Sequence, residues 1–487
     1  MSEPLRRAVD RAVERAVDLV SGAQSAAETA VQTAKDVLAG PVDPYVPGHG
    51  SDDYAVQHYD LRLVYRVRTN RLDATAVLEL TTQQECAELS FDLAGLAVRK
   101  VSVDGGRVRR YAVRGEKLVV RLERPVPADT SLRVEIGYGG DPGPLVGPWG
   151  EVGWEELTEG VIVAGQPNGA PSWFPCNDRP DDKATFRLEV TCESEYTVVC
   201  GGGLESRRRS GSRTTWVYVQ DRPMAPYLAT VQIGRYDDVV LPVGGAPQSV
   251  HVPRRLRRRA DHDLARQPAM MALFERLFGP YPFDSYRVVV TEDPLEIPLE
   301  AQGLSIFGAN QMDGRRGSER LVAHELSHQW FGNSVGVAAW QHIWLNEGFA
   351  CYAEWLWWDH MRLHTMASST RAAWEKLAQE PQDLVLADPG PETMFDDRVY
   401  KRGALTIHAI RCALTDEVFF AMVRGWTAEH AYGTVTTWDF LEHLAECAPD
   451  RTARAVAERW LLSPELPELP VLPAGSSSVR NPSGGRA

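Results

Sequence analysis

The chain holds 487 residues, enough for about three domains at roughly 150 residues each. Its 52 Lys plus Arg against 66 Asp plus Glu leave a formal net charge of −14, which speaks against a nucleic-acid partner. A hydrophobic fraction of 44% excludes a disordered polymer, and no apolar run approaches the ~18 residues of a transmembrane segment.

Residues 1–44 read as an alanine-rich amphipathic helical extension, with Val9, Val13 and Val17 recurring every four positions. Two readings stay open: a helix that docks on a partner or a membrane surface, or a loosely packed extension. Charged residues from Arg6 to Asp18 interrupt every apolar run, so no secretory core is expected. Seven cysteines, an odd number without a CxxC pair, predict reduced, buried thiols and a cytoplasmic location. The stretch from Gly40-Pro41 to Gly48-His49-Gly50 breaks the helix.

From Tyr54 to about Gly234 short alternating segments such as Tyr59-Asp-Leu-Arg-Leu-Val-Tyr65 are separated by turn signals (Asp104-Gly105-Gly106, Gly201-Gly-Gly203). This predicts an N-terminal antiparallel β-sandwich-like domain over residues 45–245. Arginine runs at Arg207–Arg209 and Arg254–Arg259 read as solvated edges. Beyond residue 260 the periodicity becomes helical: a helix ends at Phe278 before Gly279-Pro280-Tyr281-Pro282, Tyr286–Val290 reads as a strand, and Trp-rich helices follow. A mainly α domain is expected over residues 246–465, with a Pro-, Gly- and Ser-rich disordered tail over 466–487.

The decisive segment is His324-Glu325-Leu326-Ser327-His328. On a helix, positions i and i+4 share a face, so both imidazoles reach one zinc ion while the carboxylate between them points at its open position. Leu321, Val322 and Ala323 before it, and Trp330 and Phe331 after it, predict a buried helix. Two His and a Glu buried there cost several kcal/mol unless paired or bound to metal. The third ligand candidate is Glu347 in Trp344-Leu-Asn-Glu-Gly-Phe-Ala350. Glu354, two turns further on, reads either as a hydrogen-bond partner of a metal-bound imidazole or as an exposed helix acid.

His324-Glu-Leu-Ser-His-Gln-Trp-Phe-Gly-Asn333 followed by Trp344-Leu-Asn-Glu-Gly-Phe-Ala350 resembles the zinc aminopeptidase family of aminopeptidase N and leukotriene hydrolase. The family pattern is HExxH, eighteen residues, then Glu, and the spacing here agrees. Trp173-Phe-Pro-Cys-Asn-Asp-Arg-Pro180 with Lys183-Ala-Thr-Phe186, and His58-Tyr-Asp-Leu61, are similar to further family segments, so the likeness covers roughly residues 45 to 465. It implies a thermolysin-like, mainly α catalytic domain and one zinc ion held by His324, His328 and Glu347. It implies Glu325 as general base and Tyr400, ahead of Lys401-Arg402-Gly403-Ala404, as donor to the oxyanion. Where the family has GxMEN this chain has Ile297-Pro298-Leu299-Glu300-Ala301: the Glu is kept, the Gly and Asn are not. Glu300 and Gln166 are accordingly the expected contacts of the substrate α-amine, with Gln166 also readable as an ordinary loop residue. The chain ends soon after Trp460–Pro464, which implies a short form without the helical C-terminal domain of many relatives.

These residues predict a zinc aminopeptidase acting on peptides with a free N-terminus. Three rivals share parts of the pattern: a zinc endopeptidase, an epoxide hydrolase on the same scaffold, and a non-catalytic binding module.

Overall fold

The structure is a computed structural model and describes residues 43–242, 245–448 and 452–471. The helix expected over residues 1–40 and the tail beyond 471 lie outside the described residues.

Alternation builds the first half of the chain. Along Tyr54–Arg66 the side chains of Tyr59, Leu61, Leu63 and Tyr65 are buried, while Asp60 and Arg62 between them are not. This strand lies in a seven-stranded sheet ordered Gly203–Ser210, Arg213–Met224, Ala184–Glu193, Tyr54–Arg66, Arg71–Thr82, Ser131–Gly140, Ala97–Asp104. One pairing departs from the antiparallel expectation. Tyr54–Arg66 runs parallel to Ala184–Glu193, with Tyr59 opposite Phe186 and their rings stacked 4.7 Å apart. Alternation tells which face is buried but not which way the neighbour runs, and the long chain between these two strands permits the crossover that parallel pairing needs. A three-stranded sheet (Cys86–Asp92, Lys117–Val126, Val108–Arg114) and a five-stranded one (Thr197–Cys200, Val231–Gly234, Gly160–Ala164, Gly150–Leu157, Leu145–Gly147) complete the β-rich part.

The second part opens on a mixed sheet ordered Tyr236–Val240, Gln248–Pro253, Tyr286–Val290, Leu304–Phe307, Leu299–Ala301. Its edge strand Leu299–Ala301 returns antiparallel onto Leu304–Phe307 through Gln302-Gly303, where Gly303 takes φ +75°, a conformation open to glycine without steric cost. Helices follow and interleave: α1 (Arg257–Asp263), α2 (Gln267–Phe278), α3 (Glu319–Ser327), α4 (Trp344–Met361), α5 (Met366–Leu377), α6 (Asp397–Ala413), α7 (Asp416–Glu429), α8 (Thr437–Cys447) and α9 (Thr452–Leu462). Every residue of α4 from Trp344 to Trp357 is buried, as expected of a helix apolar on all sides. No helix among the described residues is long and apolar enough to cross a membrane. All seven cysteines are free thiols, five of them buried.

Two features differ from the linear reading. Residues 466–471, assigned by composition to a disordered tail, lie on the helical part: Leu466 and Leu469 pack against the core, and the Trp374 indole donates to the Pro467 carbonyl at 2.8 Å. The leucines among the prolines supply the apolar surface for this. The second is Lys183, the first residue of Lys183-Ala-Thr-Phe186. Its ammonium crosses from the β-rich part and donates to the carbonyls of Asn333 (3.1 Å), Ser334 (2.9 Å) and Gly433 (2.8 Å). One side chain therefore ties the β-rich part both to the segment after α3 and to the segment before α8. Removing a donor from buried acceptors costs roughly 1–3 kcal/mol per group. Lys183→Met is expected to lose about 2–4 kcal/mol in urea unfolding; a variant as stable as the parent would show that this strap carries no weight.

Candidate metal centre and substrate cleft

Helix α3 presents His324 and Glu325 from its last turn, and His328 caps it in αR conformation, so the two imidazoles stand on one face with ring centroids 4.8 Å apart. The first turn of α4 brings in Glu347. Its Oε2 lies 3.4 Å from His324 Nε2 and 3.5 Å from His328 Nε2, and all three residues are buried. The other imidazole nitrogens are already committed. His324 Nδ1 lies 2.8 Å from Glu354 Oε1, and His328 Nδ1 lies 3.0 Å from the carbonyl oxygen of Phe331. Both partners accept, so each Nδ1 carries the proton and each Nε2 turns a lone pair toward Glu347.

Three donor atoms with that tautomer and that spacing fit a tetrahedral zinc ion, whose ligands at 2.0–2.1 Å stand roughly 3.3 Å from one another. Without a cation, burial works against charging His324, yet the carboxylates of Glu347 and Glu354 outweigh it and push its pKa up to about 10. Glu354 is buried rather than an exposed helix acid: burial pushes its carboxyl up, but the His324 hydrogen bond and the nearby Lys401 and Arg320 cations together hold it below the usual range. Arg320 reaches both Glu354 oxygens, at 3.0 and 3.1 Å.

The trio lies in a cleft of about 950 Å³ that Gln166, Glu300, Glu325, Glu354 and Tyr400 also line. The Glu325 carboxyl makes no hydrogen bond among the described residues, and burial pushes it well above the usual range, with Glu300 and Glu347 adding to the rise. Gln166, from the β-rich part, donates Nε2–H to Glu300 Oε1 at 2.7 Å. Burial raises the pKa of Glu300 as well. Tyr400 stands on α6 with its ring near-parallel to that of His324, centroids 6.1 Å apart, and its hydroxyl has no hydrogen-bond partner among the described residues. All eight candidate residues of the sequence analysis therefore converge on one cleft.

Sequence reasoning left out the residues that hold this group in place. Gln329 and Asn333 donate side-chain N–H to the Ala301 carbonyl, at 3.2 and 2.9 Å, and Gln329 Oε1 accepts from Gly303 N–H at 2.8 Å. They lock the short strand carrying Glu300 to the end of α3. Helices α4 and α6 touch backbone to backbone at Gly348 and Gly403, where a Cβ on either would come within 2.9 Å of the other's main chain. Each glycine sits close to a candidate site residue, one after Glu347 and three after Tyr400, and that nearness was the available signal.

A β-rich part joined to a helical part, with a His–His–Glu set at the cleft between them, is the layout of a two-domain metallopeptidase. The chain belongs to the M1 peptidase family: residues 263–460 match the peptidase family M1 domain and residues 55–228 the peptidase M1 N-terminal domain. It is 26% identical over 473 residues to a probable M1 family aminopeptidase 1 of Encephalitozoon cuniculi, covering 87% of this chain and 53% of the relative. It is 26% identical over 404 residues to rat aminopeptidase B, covering 75% and 59%. The chain thus spans about half the length of the curated relatives it matches. A crystal structure of an M1 zinc metallopeptidase from Deinococcus radiodurans superimposes with a TM-score of 0.79 at 26% identity, covering 87% of this chain and 98% of that one. A mutant of that enzyme bound to a Tyr-Ser-Ala substrate gives 0.80.

Two outcomes follow from the packing around the centre. Glu354→Ala is expected to weaken zinc binding about 10–100-fold in competition with a chromogenic chelator; unchanged affinity would show that Glu354 does not orient His324. Gly403→Ala is expected to cost about 1–3 kcal/mol by forcing α4 and α6 apart, and a neutral result in urea unfolding would contradict the contact.

Proposed function

We propose that this protein is a zinc-dependent aminopeptidase that hydrolyses the N-terminal peptide bond of peptides with a free α-amine. The observation that carries this reading is the Glu300–Gln166 pair, 2.7 Å apart, facing the same cleft as the His324, His328 and Glu347 donors. A half-buried carboxylate beside a metal centre selects a substrate ammonium and fixes its distance from the scissile carbonyl. It also closes the cleft to residues upstream of the first, which favours removal of single N-terminal residues over internal cutting.

His324, His328 and Glu347 would hold the ion, which supplies Lewis acidity that acidifies water and polarises a carbonyl. Glu325 is the general base: its buried, unpartnered carboxylate takes the proton of the attacking water and passes it to the leaving amine. The free Tyr400 hydroxyl donates a hydrogen bond to the oxyanion as it forms, a contribution of about 3 kcal/mol. Glu354 and the Phe331 carbonyl keep both imidazoles in the metal-binding tautomer. The replacement of the Gly and Asn of GxMEN by Ile297 and Ala301 bears on which first side chain fits; Ile297 is 61% exposed at the rim of the cleft. We place the protein in the cytoplasm, a reading that its seven free cysteines support.

A panel of aminoacyl and peptide substrates, each with a free and an N-acetylated amine and each with and without chelator, tests the activity. Free-amine substrates alone should turn over, and only with metal; equal cleavage of acetylated peptides would make the enzyme an endopeptidase. Glu325→Gln should lower kcat about 10²–10⁴-fold with zinc content unchanged. Glu300→Ala should raise KM for free-amine substrates about 10–100-fold, the worth of one charge-assisted pair; an unaltered KM would remove Glu300 from amine recognition.

A further inference from the structure

Outside the cleft, the end of α7 and the middle of α8 bring together Glu429, His430 and His443, with one donor atom from each all within 4.8 Å of one another. None of the three lines the substrate cleft. His443 is buried, and its surroundings set its tautomer. Its Nε2 lies 3.0 Å from the carbonyl oxygen of Met422, which can only accept, so Nε2 carries the proton and Nδ1 presents its lone pair. That lone pair faces the Glu429 carboxylate at 3.5 Å. Two electron-rich groups held face to face call for a proton or a cation between them. A second imidazole stands beside them: His430 packs its ring on Trp426, centroids 4.3 Å apart, and neither of its ring nitrogens has a hydrogen-bond partner among the described residues.

We propose that Glu429, His430 and His443 form a second, structural site for a divalent transition ion such as zinc. The 3.5 Å between carboxylate and imidazole equals one of the two such spacings in the His324, His328 and Glu347 trio, which are 3.4 and 3.5 Å. Both match the roughly 3.3 Å ligand-to-ligand edge of tetrahedral zinc. The Met422 carbonyl plays toward His443 the part that the Phe331 carbonyl plays toward His328, orienting the ring through its second nitrogen. Glu429 is exposed, which gives an ion its entry path and water for the remaining position.

The location gives such an ion a structural role. Between His430 and His443 runs the segment whose Gly433 carbonyl receives the Lys183 ammonium and whose Thr434–Val435 pairs with Gly336–Val337, just beyond α3. Bridging the end of α7 to α8 braces that segment at both of its ends.

The test is the zinc stoichiometry of the full chain, stripped with chelator and dialysed against micromolar Zn²⁺, read by elemental analysis. The parent should bind two ions per chain, and Glu429→Gln/His430→Ala should bind one. His328→Ala, which removes a ligand of the other centre, should also keep one and should rise in Tm on adding zinc. One ion in the parent that persists in Glu429→Gln/His430→Ala, or two ions in that variant, overturns the proposal. Single Glu429→Gln, at an exposed position that leaves the helix intact, should weaken the second ion at least tenfold; an unchanged second affinity overturns the proposal as well. A His328→Ala variant that binds no ion overturns the proposal too, whereas one that still binds two bears only on the catalytic reading.

Discussion

Everything in this molecule that concerns chemistry depends on one convergence: the lone pairs of two imidazoles and one carboxylate oxygen turned toward a common point inside the protein, with the carboxylate 3.4 and 3.5 Å from the imidazoles. Such a cluster does not hold itself together. Glu300, Glu347 and Glu354 all act against the charge of Glu325, which is itself buried. Arg320 behind Glu354 supplies opposite charge, as a cation held at the centre would, and the hydrogen bonds from each Nδ1 remove the rotational freedom that would let the rings turn away.

The scaffold around this point is built for close approach. The meeting of Gly348 with Gly403 lets α4 deliver Glu347 and α6 deliver Tyr400 to the same cleft; any larger side chain at the crossing would hold them apart. The strand bearing Glu300 would be a free edge, yet Gln329 and Asn333 donate to its Ala301 carbonyl and fix it to the end of α3. The β-rich part is no passive neighbour. It supplies Gln166 to the cleft and Lys183 to the backbone behind α3, so the Glu300–Gln166 pair, proposed to recognise the substrate amine, exists only when both parts are docked.

What was legible in the sequence was local. The i, i+4 histidines and the strand alternation of Tyr59 to Tyr65 each follow from a short periodicity, and the family resemblance is shown by matches over both parts of the chain. What was not legible depended on direction or partner. The parallel pairing of Tyr54–Arg66 with Ala184–Glu193 leaves no trace in either strand's own pattern. The face on which Glu354 lies was open until α3 and α4 were placed together, when it met His324 at 2.8 Å. Gln329, Asn333 and Lys183 look like ordinary polar residues, because their partners are main-chain carbonyls that no side-chain pattern reveals. Leu466 and Leu469 were hidden among prolines in a composition that reads as disorder.

The most direct measurement is an anomalous diffraction map of crystals of the zinc-loaded protein, collected at the zinc absorption edge. A strong peak within bonding distance of His324 Nε2, His328 Nε2 and a Glu347 oxygen is the expected result. A map with no density between those atoms, in crystals shown to contain zinc, would contradict the account at its root.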